Sequence, residues 1–282
     1  MLNNCLNFIH LFKNAFFGPH CILCRQSLAI EPVPAPSAFC QACYDQLSWH
    51  DGHSCPQCGM PSWGEVCGLC LNKPPHFEQT IAAFDYDFPI DRLISAYKYQ
   101  FQLQLATPLS QALIQAVRQK LTVMPDYIIA MPLHPMRIAE RGFNQSLELA
   151  KILSLEMYIP ISHACLRIIN TPPQAKLSQA QRIRNIRGAF HCAHSLEGLN
   201  IAIVDDVMTT GASLNELARQ LKQRGAAHVQ CWVIARTQHH DQISPTRLEL
   251  PLCCTSSYLN PKSPPIPAIS FVYAPTLGRN CI

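Results

Sequence analysis

The sequence predicts an α/β fold in which helices flank a twisted, mostly parallel sheet, with a small cysteine-rich module at the N-terminus. Three observations support this prediction. Apolar strand-like runs alternate with helical patterns between residues 76 and 237, one strand ends in two adjacent carboxylates before a turn of small residues, and four Cys-x-x-Cys pairs lie between residues 21 and 70. The predicted domains are residues 1–75 (N-terminal segment and cysteine module), 76–237 (α/β domain) and 238–282 (irregular, proline-rich tail).

Composition limits the classes of protein to consider. The chain has 282 residues, of which 48% are hydrophobic and 14% charged, so it can bury a sizeable core. It has no run of 18 or more apolar residues, and we therefore expect no membrane insertion. Residues 1–17 lack the features of a signal peptide and favour a short docking helix. These observations predict a cytoplasmic protein, in which thiols stay reduced.

The cysteine pairs have the spacing of metal ligands. Two residues between the sulfurs let both face one ion, and two pairs complete a tetrahedral four-thiolate shell. Such a shell leaves no position for water, which predicts two structural zinc sites, although cysteine alone does not exclude an iron–sulfur cluster. Sequential pairing is the simplest scheme, and pairing first with third and second with fourth would also close two shells. The predicted ligands are Cys21, Cys24, Cys40, Cys43, Cys55, Cys58, Cys67 and Cys70.

The cysteines also affect the charge balance and the core. Each four-thiolate zinc site carries a net charge of about −2, so two sites would cancel the formal net charge of +4. Overall basicity therefore gives no argument for nucleic-acid binding. Outside the module, Cys165 and Cys231 lie in strand-like runs, and we expect both to be small core residues.

The first half of the α/β domain reads as strand, two helices and strand. We expect strands at residues 79–86 and 127–133 and helices at 90–99 and 107–121. Lys98 is expected at a solvated helix position. Two prolines at residues 131–137 argue against both an α-helix and the hydrogen-bond ladder of a β-strand, and they predict a shaped loop. This loop would lie at the sheet edge where doubly wound folds bind ligands.

A helix through Leu147, Ala150 and Leu153 and a strand at 164–169 come next. Between residues 157 and 196 there is no Asp or Glu, whereas five residues are basic. This local positive field fits a polyanionic ligand, and a solvated basic surface would give the same pattern. The basic residues are Arg167, Lys176, Arg182, Arg184 and Arg187.

The stretch at residues 201–213 carries the strongest functional signal. A buried strand precedes Asp205 and Asp206, and a hydroxyl-rich turn then leads into a helix through residues 214–221, followed by a strand at 229–236. A turn at a helix N-terminus exposes backbone N–H groups to an anion, and paired carboxylates suit a vicinal diol. A capped turn after a buried strand would use similar residues. The functional interpretation is a sugar-phosphate site.

This stretch resembles the signature of type I phosphoribosyltransferases: apolar positions, two acidic residues, two apolar ones, then Thr-Thr-Gly-x-Ser. The resemblance implies the type I phosphoribosyltransferase fold. It also implies that Asp205 and Asp206 hold the ribose hydroxyls of phosphoribosyl pyrophosphate (PRPP), with Mg²⁺ as the cation. The residues implied to cradle the 5′-phosphate are Thr209, Thr210, Gly211, Ala212 and Ser213.

Further motifs are similar to the ComF family, which pairs a cysteine-rich zinc module with such a domain and is associated with natural competence. They are His-Pro-x-Arg-x-x-x-Arg-Gly-Phe-Asn-Gln, Gln-x-x-Leu-Ser and Arg-x-x-Asn-x-Arg-Gly-Ala-Phe, at residues 134–190. The resemblance implies a mobile loop at 174–187 that closes over PRPP. We expect Leu133, His134 and Arg137 beside the pyrophosphate, and Arg182 and Arg187 to act with the acidic pair in catalysis.

The resemblance leaves the acceptor of the phosphoribosyl group open. It also leaves two functions open. One is an enzyme that transfers phosphoribosyl to a base or a nucleic-acid-related acceptor, and the other is a non-catalytic, PRPP- or nucleotide-sensing adaptor whose zinc module binds single-stranded DNA or a competence protein partner.

Overall fold

The computed structural model describes residues 20–28, 38–50, 53–170 and 185–238. The predicted docking helix at residues 1–17 lies outside these ranges, as does all but the first residue of the predicted tail. The three domain boundaries remain a prediction.

The described strands form a four-stranded parallel sheet and a separate antiparallel pair. The strands are β1 (Gln79–Asp85), β2 (Tyr127–Ala130), β3 (Cys165–Arg167), β4 (Phe190–Cys192), β5 (Asn200–Met208) and β6 (His228–Arg236). The order in the sheet is β1–β6–β5–β2, so the two longest strands are central. The predicted α/β fold with a mostly parallel sheet is confirmed.

Helices connect and cover these strands. They are α1 (Gln41–Tyr44), α2 (Gly68–Asn72), α3 (Ile90–Tyr99), α4 (Ala106–Lys120), α5 (Pro135–Arg141), α6 (Gln145–Met157) and α7 (Ala212–Gln223), with a 3₁₀ turn at Leu103–Leu105. Within the described ranges, no helix has both the length and the apolar character needed to cross a bilayer.

The sheet buries both faces, which explains why its strands are almost continuously apolar. Alternate residues of β5 and β6, such as Val204 and Trp232, face a core built with α3, α4 and α6. The intervening residues, such as Ile203 and Cys231, face α7 and the β3–β4 pair. The prediction that Cys231 is a small core residue is confirmed, since its side chain is fully buried.

One predicted loop contains a helix. The prolines at 131–137 were expected to exclude helix, but Pro135 is the first residue of α5. A proline is tolerated there because its missing N–H would have no helical partner, and its fixed φ suits the first turn. His134 Nδ1 accepts a bond from the Met136 N–H (3.3 Å) and caps the helix. The loop is therefore limited to residues 131–134.

Cys165 is buried in the core, as predicted. The expectation that thiols stay reduced is wrong for this residue, because it is disulfide-bonded to Cys192 across the β3–β4 pair. The two residues lie directly opposite each other in the antiparallel register. They are 27 positions apart in the chain. The sequence of one strand does not by itself indicate which other strand it will pair with.

The turn between β5 and α7 generates a stability prediction. Gly211 has φ +74°, and a Cβ there would lie 2.7 Å from the Cε of the buried Met208. Gly198 has the same φ but open space around it. In Gly198→Ala we expect a loss of about 1 kcal/mol of unfolding free energy from backbone strain alone. In Gly211→Ala the end of the flexible Met208 side chain has to shift within the core, and we expect a further loss of about 1 kcal/mol. Urea unfolding of both variants tests this, and equal losses would contradict it.

Candidate functional site

The carboxylates of Asp205 and Asp206 lie near the carboxyl end of the central strand β5 and are held by different neighbours. Asp205 Oδ1 accepts hydrogen bonds from Ser146 Oγ and from the Asp206 N–H, each 2.9 Å long. Asp206 is buried, and its Oδ1 lies 3.0 Å from Lys98 Nζ. Asp206 is thus largely removed from water and paired with an ammonium group, whereas Asp205 is half-buried and held by a hydroxyl and a backbone N–H.

Burial sets the electrostatics of the pair. Loss of water contact and the nearby charge of Asp206 raise the pKa of Asp205 to about 7, although Lys98 and the Ser146 hydroxyl act in the opposite direction. Burial also disfavours the charged form of Lys98, but attraction to Asp206 outweighs this, and the pKa of Lys98 is raised. The site therefore changes its charge near neutral pH.

Lys98 was expected in solvent, and this prediction is wrong. Its neighbour Tyr97 is fully buried and donates through its hydroxyl to the Gln145 carbonyl (2.9 Å). The Tyr97 ring also packs against Phe143, with 5.8 Å between ring centroids. This packing fixes the last turn of α3 against the start of α6, so the following lysine reaches Asp206. The sequence signal was the flanking aromatic residues.

Ser146 is a site residue that sequence reasoning missed. Asn144 caps α6 by accepting bonds at its Oδ1 from the N–H groups of Ser146 and Leu147. Its Nδ2 donates to the Met131 carbonyl (3.2 Å), which attaches the cap to the segment after β2. The Asn-Gln-Ser sequence that opens α6 thus orients a hydroxyl toward Asp205. An asparagine at a predicted helix start was the available signal.

The turn after β5 has the backbone expected of an anion site. Gly211 adopts a left-handed conformation before α7, and the Thr210 hydroxyl accepts a bond from the Ala212 N–H (3.4 Å). Thr209 is exposed, whereas Thr210, Ala212 and Ser213 are half-buried. The first N–H groups of a 12-residue helix therefore lie at the same sheet edge as the acidic pair.

The predicted cationic residues are only partly brought together. Arg137 lies on α5 with its NH1 3.1 Å from Glu140 Oε2. Burial and the charge of Arg137 lower the pKa of Arg167, and Asp205 opposes this effect, so these groups share one electrostatic environment. Arg187 is exposed. Lys176, Arg182 and Arg184, with most of the predicted loop at 174–187, lie outside the described residues.

The segment after β2 lies beside the acidic pair, as predicted. The Met131 N–H donates to the Val204 carbonyl (2.8 Å), which places residues 131–134 next to the strand that ends in the two acids. Leu133 and His134 are half-buried there. The structure thus brings this segment and α5 to the same edge as the turn.

The eight predicted metal ligands form two separate clusters, each with its four sulfur atoms within 4.8 Å of one another. The clusters join the first pair with the second and the third with the fourth, so sequential pairing is correct. Zn–S bonds of about 2.3 Å in a tetrahedron separate the sulfurs by about 3.8 Å. The Cys24–Cys40 and Cys58–Cys67 sulfur distances, both 3.6 Å, fit this value.

The local backbone favours a thiolate at one cysteine of each cluster. Burial opposes ionisation of Cys21, but backbone N–H groups of Cys24 and Cys40 outweigh it and lower the pKa of Cys21 to about 6. Cys55 behaves in the same way: burial opposes ionisation, but backbone donors, including the Cys67 N–H at 3.3 Å from its sulfur, lower its pKa. Two closed four-thiolate shells identify structural zinc as the cation that the donors fit.

Comparison with known proteins agrees with both halves of the structure. Residues 12–71 match the double zinc ribbon domain, and residues 143–249 match the phosphoribosyl transferase domain. The chain therefore has the predicted type I phosphoribosyltransferase fold with an N-terminal zinc ribbon module.

Full-length relatives extend the match. The DNA utilization protein YhgH of Shigella flexneri is 37% identical over 77% of this chain and 96% of its own length. Competence protein F of Haemophilus influenzae is 32% identical over 78% of this chain and 98% of its own length. Competence protein ComFC of Bacillus subtilis is 29% identical over 77% of this chain and 95% of its own length. With these relatives and both domains in one chain, the protein belongs to the ComF family.

Proposed function

We propose that the chain binds PRPP at the edge of the sheet formed by β5 and the turn that follows it, and that it transfers the phosphoribosyl group to a base or a nucleic-acid-related acceptor. The observation that supports this most is the half-buried Asp205 and the buried Asp206, which lie a few residues before the turn that opens α7. A ribose 5-phosphate unit offers a diol and a phosphate at matching positions.

The roles follow from charge and hydrogen-bonding capacity. Asp205 and Asp206 are acceptors, so they suit the two ribose hydroxyls and repel a phosphate. The turn from Thr209 to Ser213 offers N–H and hydroxyl donors and the positive end of α7, which suit the 5′-phosphate. Ser146 and Lys98 keep the carboxylates oriented while the diol binds.

The pyrophosphate would bind beside the segment at residues 131–134 and the basic residues near it. Residues Leu133 and His134 flank this position, and Arg137 supplies positive charge from α5. Arg182 and Arg187 are proposed to balance the leaving group. Mg²⁺, which prefers oxygen ligands, would be held near the acidic pair and would neutralise the pyrophosphate when bound.

The reaction that such a site supports is displacement at the anomeric carbon. The C1–O bond to pyrophosphate breaks with its electron pair leaving on pyrophosphate, and a nucleophilic atom of the acceptor forms the new bond to C1. The acidic pair stabilises the positive charge that develops on the ring. Exclusion of water is required because hydrolysis of PRPP is the competing reaction.

The names of the relatives support a role connected with competence and the use of DNA. Proteins called DNA utilization protein and competence protein match nearly their whole length to this chain. We infer a role in natural competence and a cytoplasmic location.

An adaptor function is favoured by a separate observation. Three large apolar side chains on the second ribbon are exposed, namely Trp63 (92%), Leu69 (68%) and Leu71 (70%). Exposed apolar groups of this size are typical of a binding surface. In this alternative the fold binds PRPP or a nucleotide without turnover, and the zinc module binds single-stranded DNA or a protein partner.

Turnover separates the enzyme from the adaptor. We expect pyrophosphate release when PRPP, Mg²⁺ and a panel of free bases and short single strands are supplied, with loss of release in the double variant Asp205→Asn/Asp206→Asn. Tight PRPP binding with no pyrophosphate release across the panel would establish the adaptor.

PRPP binding tests the site itself. In Asp206→Asn we expect PRPP affinity to fall at least tenfold, about 1.4 kcal/mol, by calorimetry with Mg²⁺. The unfolding free energy falls by about 1–2 kcal/mol, because Lys98 loses its buried partner. Glu156→Gln on the exposed side of α6 is the matched control and should change neither quantity. Unchanged affinity in Asp206→Asn would show that PRPP binds elsewhere.

The raised pKa of Asp205 predicts a pH dependence. Its carboxyl is mostly protonated at pH 6 and mostly ionised at pH 8, and the ionised form accepts the diol and attracts Mg²⁺. Affinity for Mg²⁺ and PRPP should therefore rise by about tenfold between these values, with a midpoint near pH 7. In Asp205→Asn only the smaller contribution of the ligand's own phosphate should remain. Identical pH profiles for both proteins would refute this role of Asp205.

A further inference from the structure

Arg236 joins the second zinc ribbon to the start of the phosphate-binding turn. It is the last residue of β6, and only 3% of it is exposed. Its Nε donates to the Cys58 carbonyl (2.7 Å), and its NH1 donates to the Met208 carbonyl (3.0 Å) and to the Thr209 carbonyl. One side chain thus contacts a metal ligand's backbone and the first residues after the acidic pair.

The second zinc ribbon is bound to the sheet through its knuckle, residues 55–60. The Thr80 N–H donates to the Pro56 carbonyl (2.9 Å), and the Thr80 hydroxyl donates to the Gln57 carbonyl (2.6 Å). Gly59 has φ +68°, and a Cβ there would lie 3.5 Å from the Arg236 side chain. The knuckle backbone therefore rests directly on Thr80 and Arg236.

Charge strengthens this connection. The nearest acceptors of the guanidinium are backbone carbonyl oxygens, and within the described ranges no ion pair within 4.0 Å includes Arg236. A four-thiolate zinc site carries a net charge of about −2 and is a negative group beside Arg236, with the Asp85 carboxylate as a second one. A buried cation next to it is stabilised when the cluster is assembled.

The first zinc ribbon packs differently. Its Cys21 N–H donates to the Gln26 carbonyl and its Ile22 N–H to the Ala38 carbonyl, so these bonds stay within the ribbon. It meets the sheet through the segment at residues 48–50, which follows its last cysteine pair, and not through a knuckle: the Asp85 N–H donates to the Ser48 carbonyl (2.8 Å) and the His50 N–H to the Ala83 carbonyl (2.9 Å). The Trp49 ring also lies 4.6 Å from that of Phe84. The two clusters are therefore expected to differ in their effect on the turn.

We propose that Arg236 is a positioning residue that couples zinc at the second cluster (Cys55, Cys58, Cys67 and Cys70) to the conformation of the turn at residues 208–213. Zinc bound there fixes the knuckle, the knuckle fixes the guanidinium, and the guanidinium fixes the carbonyl groups from which the turn begins. The consequence for PRPP affinity rests on the proposed function, whereas the effect on the turn does not.

Amide hydrogen exchange of the full chain tests the coupling without any ligand. In Arg236→Met we expect about tenfold faster exchange in peptides covering residues 208–213, with two zinc ions per chain retained by elemental analysis. Cys58→Ser should accelerate the same peptides. The matched controls are Arg118→Met on the exposed face of α4 and Cys24→Ser in the first cluster, and both should change turn exchange less than about twofold.

The outcomes separate coupling from a general loss of stability. Faster exchange confined to the turn, with residues 201–204 and 229–233 unchanged, supports the proposal. Uniform acceleration across the sheet, or an unchanged turn in Arg236→Met, overturns it. If Cys58→Ser does not fold, Arg236→Met with both zinc ions decides alone. PRPP calorimetry in parallel should show weaker binding in Arg236→Met than in the unmodified protein. If the unmodified protein does not bind PRPP at all, the proposed function is overturned, and the hydrogen-exchange result still decides the coupling.

Discussion

The structure is organised around two carboxylates at the end of a buried strand. Ionised acids out of water are costly unless they are paired and hydrogen-bonded. Asp206 meets this requirement with the ammonium of Lys98, and Asp205 meets it in part with the Ser146 hydroxyl and a backbone N–H. Because Lys98 comes from α3 and Ser146 from α6, the acidic pair requires both elements to converge on one edge of the sheet.

This convergence explains the role of residues that do not themselves contact the two acids. Tyr97 and Phe143 pack together, and Asn144 both caps α6 and holds the segment after β2. The second zinc knuckle contacts other elements, since it rests on Thr80 of β1 and Arg236 of β6. Contacts from α3 and α6 thus hold the two acids, whereas the Arg236 side chain, which contacts the second knuckle, holds the backbone where the turn begins.

Local patterns in the sequence predicted much of this arrangement. The strand that carries Asp205 and Asp206 near its carboxyl end, the turn after it and the two cysteine clusters all depend on residues close in sequence, so spacing alone was informative. The contacts that were missed join distant segments. Lys98 meets Asp206 and Cys165 meets Cys192 only after the chain has folded, and a helical lysine or a strand cysteine has a more common solvated or core role. Pro135 was misjudged because proline ends helices and also begins them.

The central claim is that the acidic pair and the adjoining turn hold one ribose 5-phosphate unit. A crystal structure of the zinc-loaded protein with PRPP and Mg²⁺ tests it most directly. The account predicts ribose hydroxyls within hydrogen-bonding distance of Asp205 and Asp206 and a 5′-phosphate on the N–H groups of residues 209–213. Sugar-phosphate density at any other surface, with Lys98 and Asp206 still paired and the turn empty, would contradict it.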